Sequence, residues 1–444
     1  MRASAPVTTP APPARRELGL ATAISLVVGS MIGSGVFLLP ASLASFGGVA
    51  LIGWVVSAAG ATVLALVFAR LARIDPSAGG PYAYTRHAFG DFAGFLIGWG
   101  YWISIWTADA ALSVAGVGYL SPFMPSVVAT PVLAALTATA IVWLFTLVNI
   151  WGVRLAGRVQ VVTTLLKVLP LFVVGIAGLV AFHPAHFAIA DTSPRALGPS
   201  IIAATTLTMF ALIGLEAATI PAALVRDPDR TIPRATVIGT LVAAGIYIAS
   251  TVGVMSLVAP AELAKSTAPF ADAARVVLGN GAAAAVALGA AISCFGALNG
   301  WILIVGQLPI AFAEDGLWPA RFARLSRQGT PAFGMVVAGL LTTGLIWMNY
   351  TKSLVDLFTF IILLATLAVL IPYVFCALAG LLIAPRGQSR ASTRDTVLAI
   401  LAFVFSFGAI VGAGASVVFW GFLLLLAGVP VYVWVRRPGV AEGR

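Results

Sequence analysis

Apolar runs of roughly 20 residues, the length of a helix that crosses a bilayer, recur along the whole chain. They are separated by short stretches rich in Arg, Pro, Gly and Ser. Read against those breakers, the pattern predicts helical spans over 20–39, 50–71, 92–120, 132–150, 159–182 and 201–224. A second half follows with 235–258, 282–312, 332–348, 357–383, 397–411 and 417–435. The runs 92–120 and 282–312 exceed the need of an upright helix and predict steep tilt. Residues 1–17 are Pro-, Ala- and Thr-rich and read as a disordered cytoplasmic tail. The apolar run after them lacks a small-residue cleavage site and is too long for a signal core, so no cleaved signal peptide is expected. One transmembrane domain over 18–438 and a short cytoplasmic tail over 439–444 complete the organisation.

Composition makes the bilayer the solvent. Of 444 residues, 60% are hydrophobic and 9% charged, against about 25% charged in ordinary soluble domains. The expectation is an all-α integral membrane protein with 12 transmembrane helices. A net charge of +10 invites a nucleic-acid reading, but the charges sit singly or in threes between apolar runs. Topology explains them: with the N-terminus in the cytoplasm, twenty Lys and Arg fall on the cytoplasmic face and tails. Only Arg195, Lys265, Arg275 and Lys352 fall on the other face. Both termini are therefore expected in the cytoplasm of a bacterial inner membrane, with lipid as the surrounding partner and no nucleic acid.

Three ionisable residues lie deep in predicted spans, where charge is expensive and function is the default reading. Glu216 is a candidate for taking up and releasing a proton; a protonated Glu bonding a neighbouring helix is the alternative. Asp109 either attracts a cationic substrate group or pairs with Lys167 or a hydroxyl. Lys167 either occupies the place of a coupling cation or snorkels to the cytoplasmic interface. No cofactor or metal is expected: Cys294 and Cys376 sit in separate apolar runs, and His183 and His186 share a loop that has no cysteine. Three scattered charges are not an enzyme's clustered site, and no long polar stripe suggests a channel pore.

The run VVGSMIGSGVF at 27–37 packs three glycines and two serines into seven residues, which is poor helix material. Unwinding there would present a new helix N-terminus to a carboxylate and freed carbonyls to an ammonium group. A weaker break at Gly214, beside Glu216, lies five spans later. Breaks at corresponding positions point to an inverted-repeat transporter with its site at the midplane; glycine-mediated helix packing is the alternative. Tyr101, Trp102, Trp106, Phe210 and Trp301 are aromatics able to close such a site over a cation.

These residues resemble the amino acid–polyamine–organocation permeases, and within them the bacterial arginine/agmatine and lysine/cadaverine antiporters. The resemblance runs from about 18 to 435. It rests on GSGVFLLP at 33–40, DPSAGGPYAY at 75–84, GVGYL at 116–120, IGLE at 213–216 and PDRTIP at 228–233. APF at 268–270, GW at 300–301 and DGL at 315–317 continue it. It implies a 5+5 inverted-repeat (LeuT-like) core with helices 1 and 6 broken, plus two C-terminal helices. It also implies a small-molecule substrate whose carboxylate meets Ser34 and Gly35 and whose amine lies near the carbonyls of Met31, Phe210 and Ile213. Trp301 would gate or stack, Tyr101 matches a gating tyrosine, and Glu216 falls where those antiporters carry a glutamate tied to pH response. Phe210 stands where the arginine/agmatine antiporters have a tryptophan, and Ser30 and Asp109 stand where they have asparagines. Lys167 looks like the fifth-helix lysine of the proton-linked and large-neutral branches, where an acidic third-helix residue is linked to it. The expected function is amino acid or amine transport, either basic amino acid/polyamine exchange or proton-coupled uptake of neutral amino acids. The antiporter branch often forms homodimers; lipid contact accounts equally well for the aromatics of the last two spans.

Overall fold

The computed structural model describes residues 19–74, 80–151, 171–189, 193–216, 225–383 and 392–437. Lys167, both tails and part of the 75–84 motif lie outside the described residues. The first half contains α1 (Leu20–Met31), α2 (Ser34–Leu43), α3 (Val49–Ile74), α4 (Pro81–Phe89), α5 (Asp91–Gly118), α6 (Pro125–Ala129), α7 (Pro131–Trp151), α8 (Leu171–Val180) and α9 (Pro194–Ala211). The second half contains α10 (Pro228–Leu257), α11 (Pro260–Leu263), α12 (Pro269–Glu314), α13 (Ala332–Met348), α14 (Leu354–Leu382), α15 (Thr393–Gly412), α16 (Ala415–Leu426) and α17 (Gly428–Val435).

Local chemistry sets many of the boundaries. Proline, which has no N–H to lose, occupies the first turn of α4, α6, α9, α10, α11 and α12. Ser353 caps α14 and Ser392 caps α15, each accepting from the backbone N–H of an aspartate three residues on, at 3.1 and 3.2 Å. α12 bends at Gly279, whose φ of +80° a side chain would resist. Residues 269–278 therefore form a separate arm before the long span that the apolar pattern predicts over 282–312.

Among the described residues, seven helical segments are long and apolar enough to cross a bilayer: α3, α7, α10, α12, α14, α15 and the α16–α17 stretch Ala415–Val435. The bent pair α1 and α2 adds an eighth, turning by 45° at its break. α5 is buried along most of its length, packed against α7, α12, α13 and α14, so its Gly, Ser, Trp and Asp face protein. The surface is inverted relative to a water-soluble protein. Val55, Leu144, Ile176, Leu340, Val404 and Phe419 face outward, while Ser57, Thr107, Asp109, Thr208 and Glu216 are buried. Only a lipid solvent makes that distribution favourable. Small residues let helices approach: a Cβ on Gly53 of α3 would fall 2.7 Å from the Cβ of Ala204 on α9.

Candidate functional site

The first predicted span is two helices. The last helical bond of α1 runs from the Ile32 N–H to the Val28 carbonyl at 3.0 Å. Gly33 is extended, with φ −127° and ψ −146°, and α2 starts at Ser34. The first turn of α2, which contains Gly35, has N–H groups without intrahelical acceptors, and Met31 is buried at the other lip of the break.

The sixth predicted span also stops midway. α9 ends at Ala211, inside the 201–224 run, and begins earlier than that run, at Pro194. Its last turn tightens as Leu212 N–H donates to the Met209 carbonyl at 3.0 Å and Ile213 N–H to that of Phe210 at 3.3 Å. Gly214 then takes φ +99° and turns the chain toward Glu216.

The two breaks touch. The Ser30 hydroxyl, 2.8 Å from the Val27 carbonyl and 3.1 Å from that of Gly214, shares its proton between α1 and the α9 turn. A Cβ on Gly35 would meet the Phe210 ring at 3.0 Å and the Ala211 backbone at 3.2 Å. The Phe210 ring in turn meets Phe358 of α14 edge-on, with centroids 6.3 Å apart. One small volume thus holds the head of α2, the tail of α1 and the end of α9.

Glu216 lies beside this volume with no solvent exposure. Tyr101 of α5 donates to its Oε1 at 2.6 Å, and Tyr373 of α14 donates to its Oε2 at 2.5 Å. Each carboxyl oxygen thus has its own phenol, from a different helix. Asp109, two turns beyond Tyr101 on α5, is also buried, and its Oδ1 has no hydrogen-bond partner among the described residues. The Trp106 indole N–H, three residues before it on the same helix face, has none either. Among the described residues, Asp109 makes no hydrogen bond to Glu216 or to the breaks; its pairing with Lys167 falls outside the described region. Trp301 is half-buried on α12 against the apolar core. Two residues before it, Asn299 accepts through its side-chain oxygen from Asn149 of α7 at 3.1 Å.

Sequence reasoning missed several members. Tyr373 was hidden among the apolar residues of its span. Tyr119 donates to the Phe37 carbonyl at 2.6 Å and accepts from the Phe270 N–H at 3.3 Å, joining α2, the end of α5 and the start of α12. Neither contact has a local signature. At one membrane face, Arg86 reaches Asp91 at 2.9 Å and Asp315 at 2.6 Å, Tyr82 donates to Asp315 at 2.6 Å, and Arg436 reaches Asp91 at 2.5 Å. The Asp91 bond holds the Arg86 guanidinium above its usual range, and burial followed by the Asp315 bond raises the Tyr82 phenol. His183 and His186 stack at 5.6 Å, and no cluster of three metal-ligating side chains occurs among the described residues.

Helices broken at a shared buried polar point, inside a shell that faces lipid, define a membrane transporter for small solutes. The chain belongs to the amino acid permease family, whose model matches residues 18–432. It is 35% identical over 406 residues, 90% of each chain, to the cadaverine/lysine antiporter of Escherichia coli. It is 30% identical over 427 residues to the putrescine transporter PotE of Haemophilus influenzae, covering 94% of this chain and 97% of that one. This is a multi-pass membrane transporter and not an enzyme.

Proposed function

We propose that the chain is a secondary antiporter that exchanges a basic amino acid for a decarboxylated amine, with a pH-sensitive step at Glu216. The observation that carries the reading is the buried Glu216 carboxyl, held by two phenols at the end of a broken helix. The cadaverine/lysine and putrescine transporters among its relatives support the substrate class. The scaffold in this reading is a 12-span, 5+5 inverted repeat, with the termini of the chain in the cytoplasm of a bacterial inner membrane.

The substrate carboxylate meets the free N–H groups at Ser34 and Gly35, where the positive end of the α2 dipole favours an anion. Its amine meets the carbonyls of Met31, Phe210 and Ile213 at the two helix ends. Each carbonyl has a second lone pair, so the bond already made to Phe210 leaves room for another donor. Phe210 and Trp301 supply rings against the aliphatic or cationic side chain. Ser30 holds the two breaks in register. A proton on Glu216 removes the carboxylate charge and makes one oxygen a donor, so the charge-assisted bond from the phenol on that oxygen weakens or reverses direction. That loosens α9 from α5 or α14, the kind of change by which alternating access can sense pH.

A second reading is proton-coupled uptake of neutral amino acids with Lys167 as the protonated group; the Asp109 oxygen that lacks a partner among the described residues favours it as the partner of that lysine. Counterflow into proteoliposomes separates the two. Uptake of labelled lysine, arginine or ornithine driven by internal cadaverine, agmatine or putrescine establishes exchange. Leucine uptake driven by a proton gradient, with no internal substrate, establishes the neutral permease and overturns the antiporter.

A further inference from the structure

A cavity of about 830 Å³ opens where α3 packs against both α10 and α15. Four arginines line it: Arg70 and Arg73 from α3, Arg234 from α10 and Arg394 from α15. Against them stand two aspartates, so the lining keeps an excess of two positive charges. Asp395 is paired with Arg70 at 3.2 Å, while Asp229 receives the Arg73 guanidinium on its backbone carbonyl at 3.1 Å. A further nitrogen of Arg70 donates to the Gly380 carbonyl of α14, so this guanidinium is fixed in place. Arg234 and Arg394 are exposed.

Apart from Ser392, the rest of the wall is apolar. Leu66, Val237, Ile238 and Leu398 are among its apolar side chains. One turn further along α10 and α15, the exposed side chains of Leu241 and Leu401 continue the apolar surface out to the lipid-facing side. A small inorganic anion has no use for that wall. A molecule with an anionic head and hydrocarbon tails uses both parts at once.

We propose that this cavity binds the phosphodiester headgroup of an anionic phospholipid, with its acyl chains lying along α10 and α15. All four arginines come from the helix ends and loops that carry most of the chain's cationic residues, where an anionic leaflet would be met. Guanidinium forks match phosphate oxygens in pairs, and the Ile238 and Leu398 side chains take up the glycerol and upper acyl carbons. The inference goes beyond the transport reading. It requires only that α3, α10 and α15 cross the bilayer, and it holds whichever solute is carried.

The test uses the purified, delipidated full chain in a neutral detergent, with melting temperature read against added phosphatidylglycerol, phosphatidylcholine or inorganic phosphate. Binding to the folded state raises the melting temperature by mass action. Phosphatidylglycerol is expected to stabilise, and the other two are not. The double variant Arg234→Ala/Arg394→Ala is expected to need about thirtyfold more phosphatidylglycerol for the same shift. The control Arg321→Ala/Arg324→Ala, which removes the same charge from exposed positions outside the cavity, is expected to respond like the parent. An equal shift with phosphatidylcholine, a full shift with phosphate alone, or equal weakening in both double variants overturns the site. Should the double variant fail to fold, native mass spectrometry of the unmutated chain tests the site without it: preferential retention of phosphatidylglycerol supports the site, and equal retention of the two lipids overturns it.

Discussion

Tyr373 donates its phenol hydrogen to Glu216 across 157 residues of chain, at 2.5 Å, on the carboxyl oxygen that Tyr101 does not use. The pair ties α14 to the turn that follows α9. Phe68 meets the Tyr373 ring edge-on, with centroids 5.3 Å apart, so the phenol is braced on its apolar side as well.

Replacing Tyr373 by Phe keeps the ring and removes the donor. Leaving a buried acceptor short of a partner costs about 1–3 kcal/mol, so the variant should still fold with a lowered melting temperature. The lost tie between α14 and the turn after α9 should also lower the initial exchange rate. Glu216→Gln should instead flatten the pH profile. Initial exchange rates between acidic and neutral pH check both; an unchanged profile in Glu216→Gln removes that residue from the pH-sensitive step.

The break after α9 rests on one residue. Gly214 needs φ +99°, and an added Cβ would lie 3.1 Å from the Ser30 hydroxyl. Gly214→Ala should therefore cost about 1–3 kcal/mol in backbone strain and lower transport sharply. Ser30→Ala removes only the hydroxyl and should cost about 1 kcal/mol. Measured unfolding midpoints and counterflow rates should rank the two in that order; a silent Gly214→Ala would mean that the turn adapts without using its positive φ.

How much of this was legible before the structure depends on range. The apolar run at 332–348 coincides with α13, and the runs at 50–71 and 357–383 fall within about three residues of α3 and α14, because a continuous apolar run is a local signal. The two breaks were legible because glycine is a local signal. Glu216 and Asp109 stood out because a carboxyl in an apolar run needs a reason. Tyr373 did not, since an aromatic in mid-span looks the same whether its hydroxyl finds a carboxyl or lipid. The Asn149–Asn299 contact, 150 residues apart, and the Tyr119 bond to Phe37 are likewise properties of packing between distant helices. The predicted run at 282–312 already leaves out residues 269–278; what was not legible is that they form a helical arm joined to that span through the bend at Gly279.

Asp109 offers a direct test of substrate charge. Its Oδ1 lacks a partner among the described residues, and Asn is nearly the same shape. If the carboxylate faces a cationic substrate group, Asp109→Asn removes a charged contact of about 1.5–3 kcal/mol, or roughly tenfold to more than a hundredfold in affinity. KM for lysine or arginine should rise accordingly, while any neutral substrate is unaffected. Parallel loss for charged and neutral substrates would instead make Asp109 a partner of Lys167.

The ion cluster around Arg86 predicts a different pH response. Asp91, at the head of α5, has its carboxyl held below the usual range, first by the hydrogen bond from Arg86 and then by the charges of Arg86 and Arg436. A carboxyl depressed in the folded state stabilises fully above its unfolded range and loses that contribution as pH falls through its folded value. Asp91 and Arg436 are 35% and 47% exposed, so water screens the pairs and the effect is modest. The melting temperature should thus fall on acidification below the ordinary carboxylate range, and Arg86→Ala should reduce that acid-side drop while lowering stability at neutral pH. Because Arg86 also joins Asp315, and through it Tyr82, the loss at neutral pH should exceed that of Arg436→Ala, which among the described residues gives up the contact to Asp91 and the contact to Tyr432. Melting curves of the three proteins between pH 3 and pH 7, about the carboxylate range, decide the point: parallel curves would show that the cluster contributes nothing to stability.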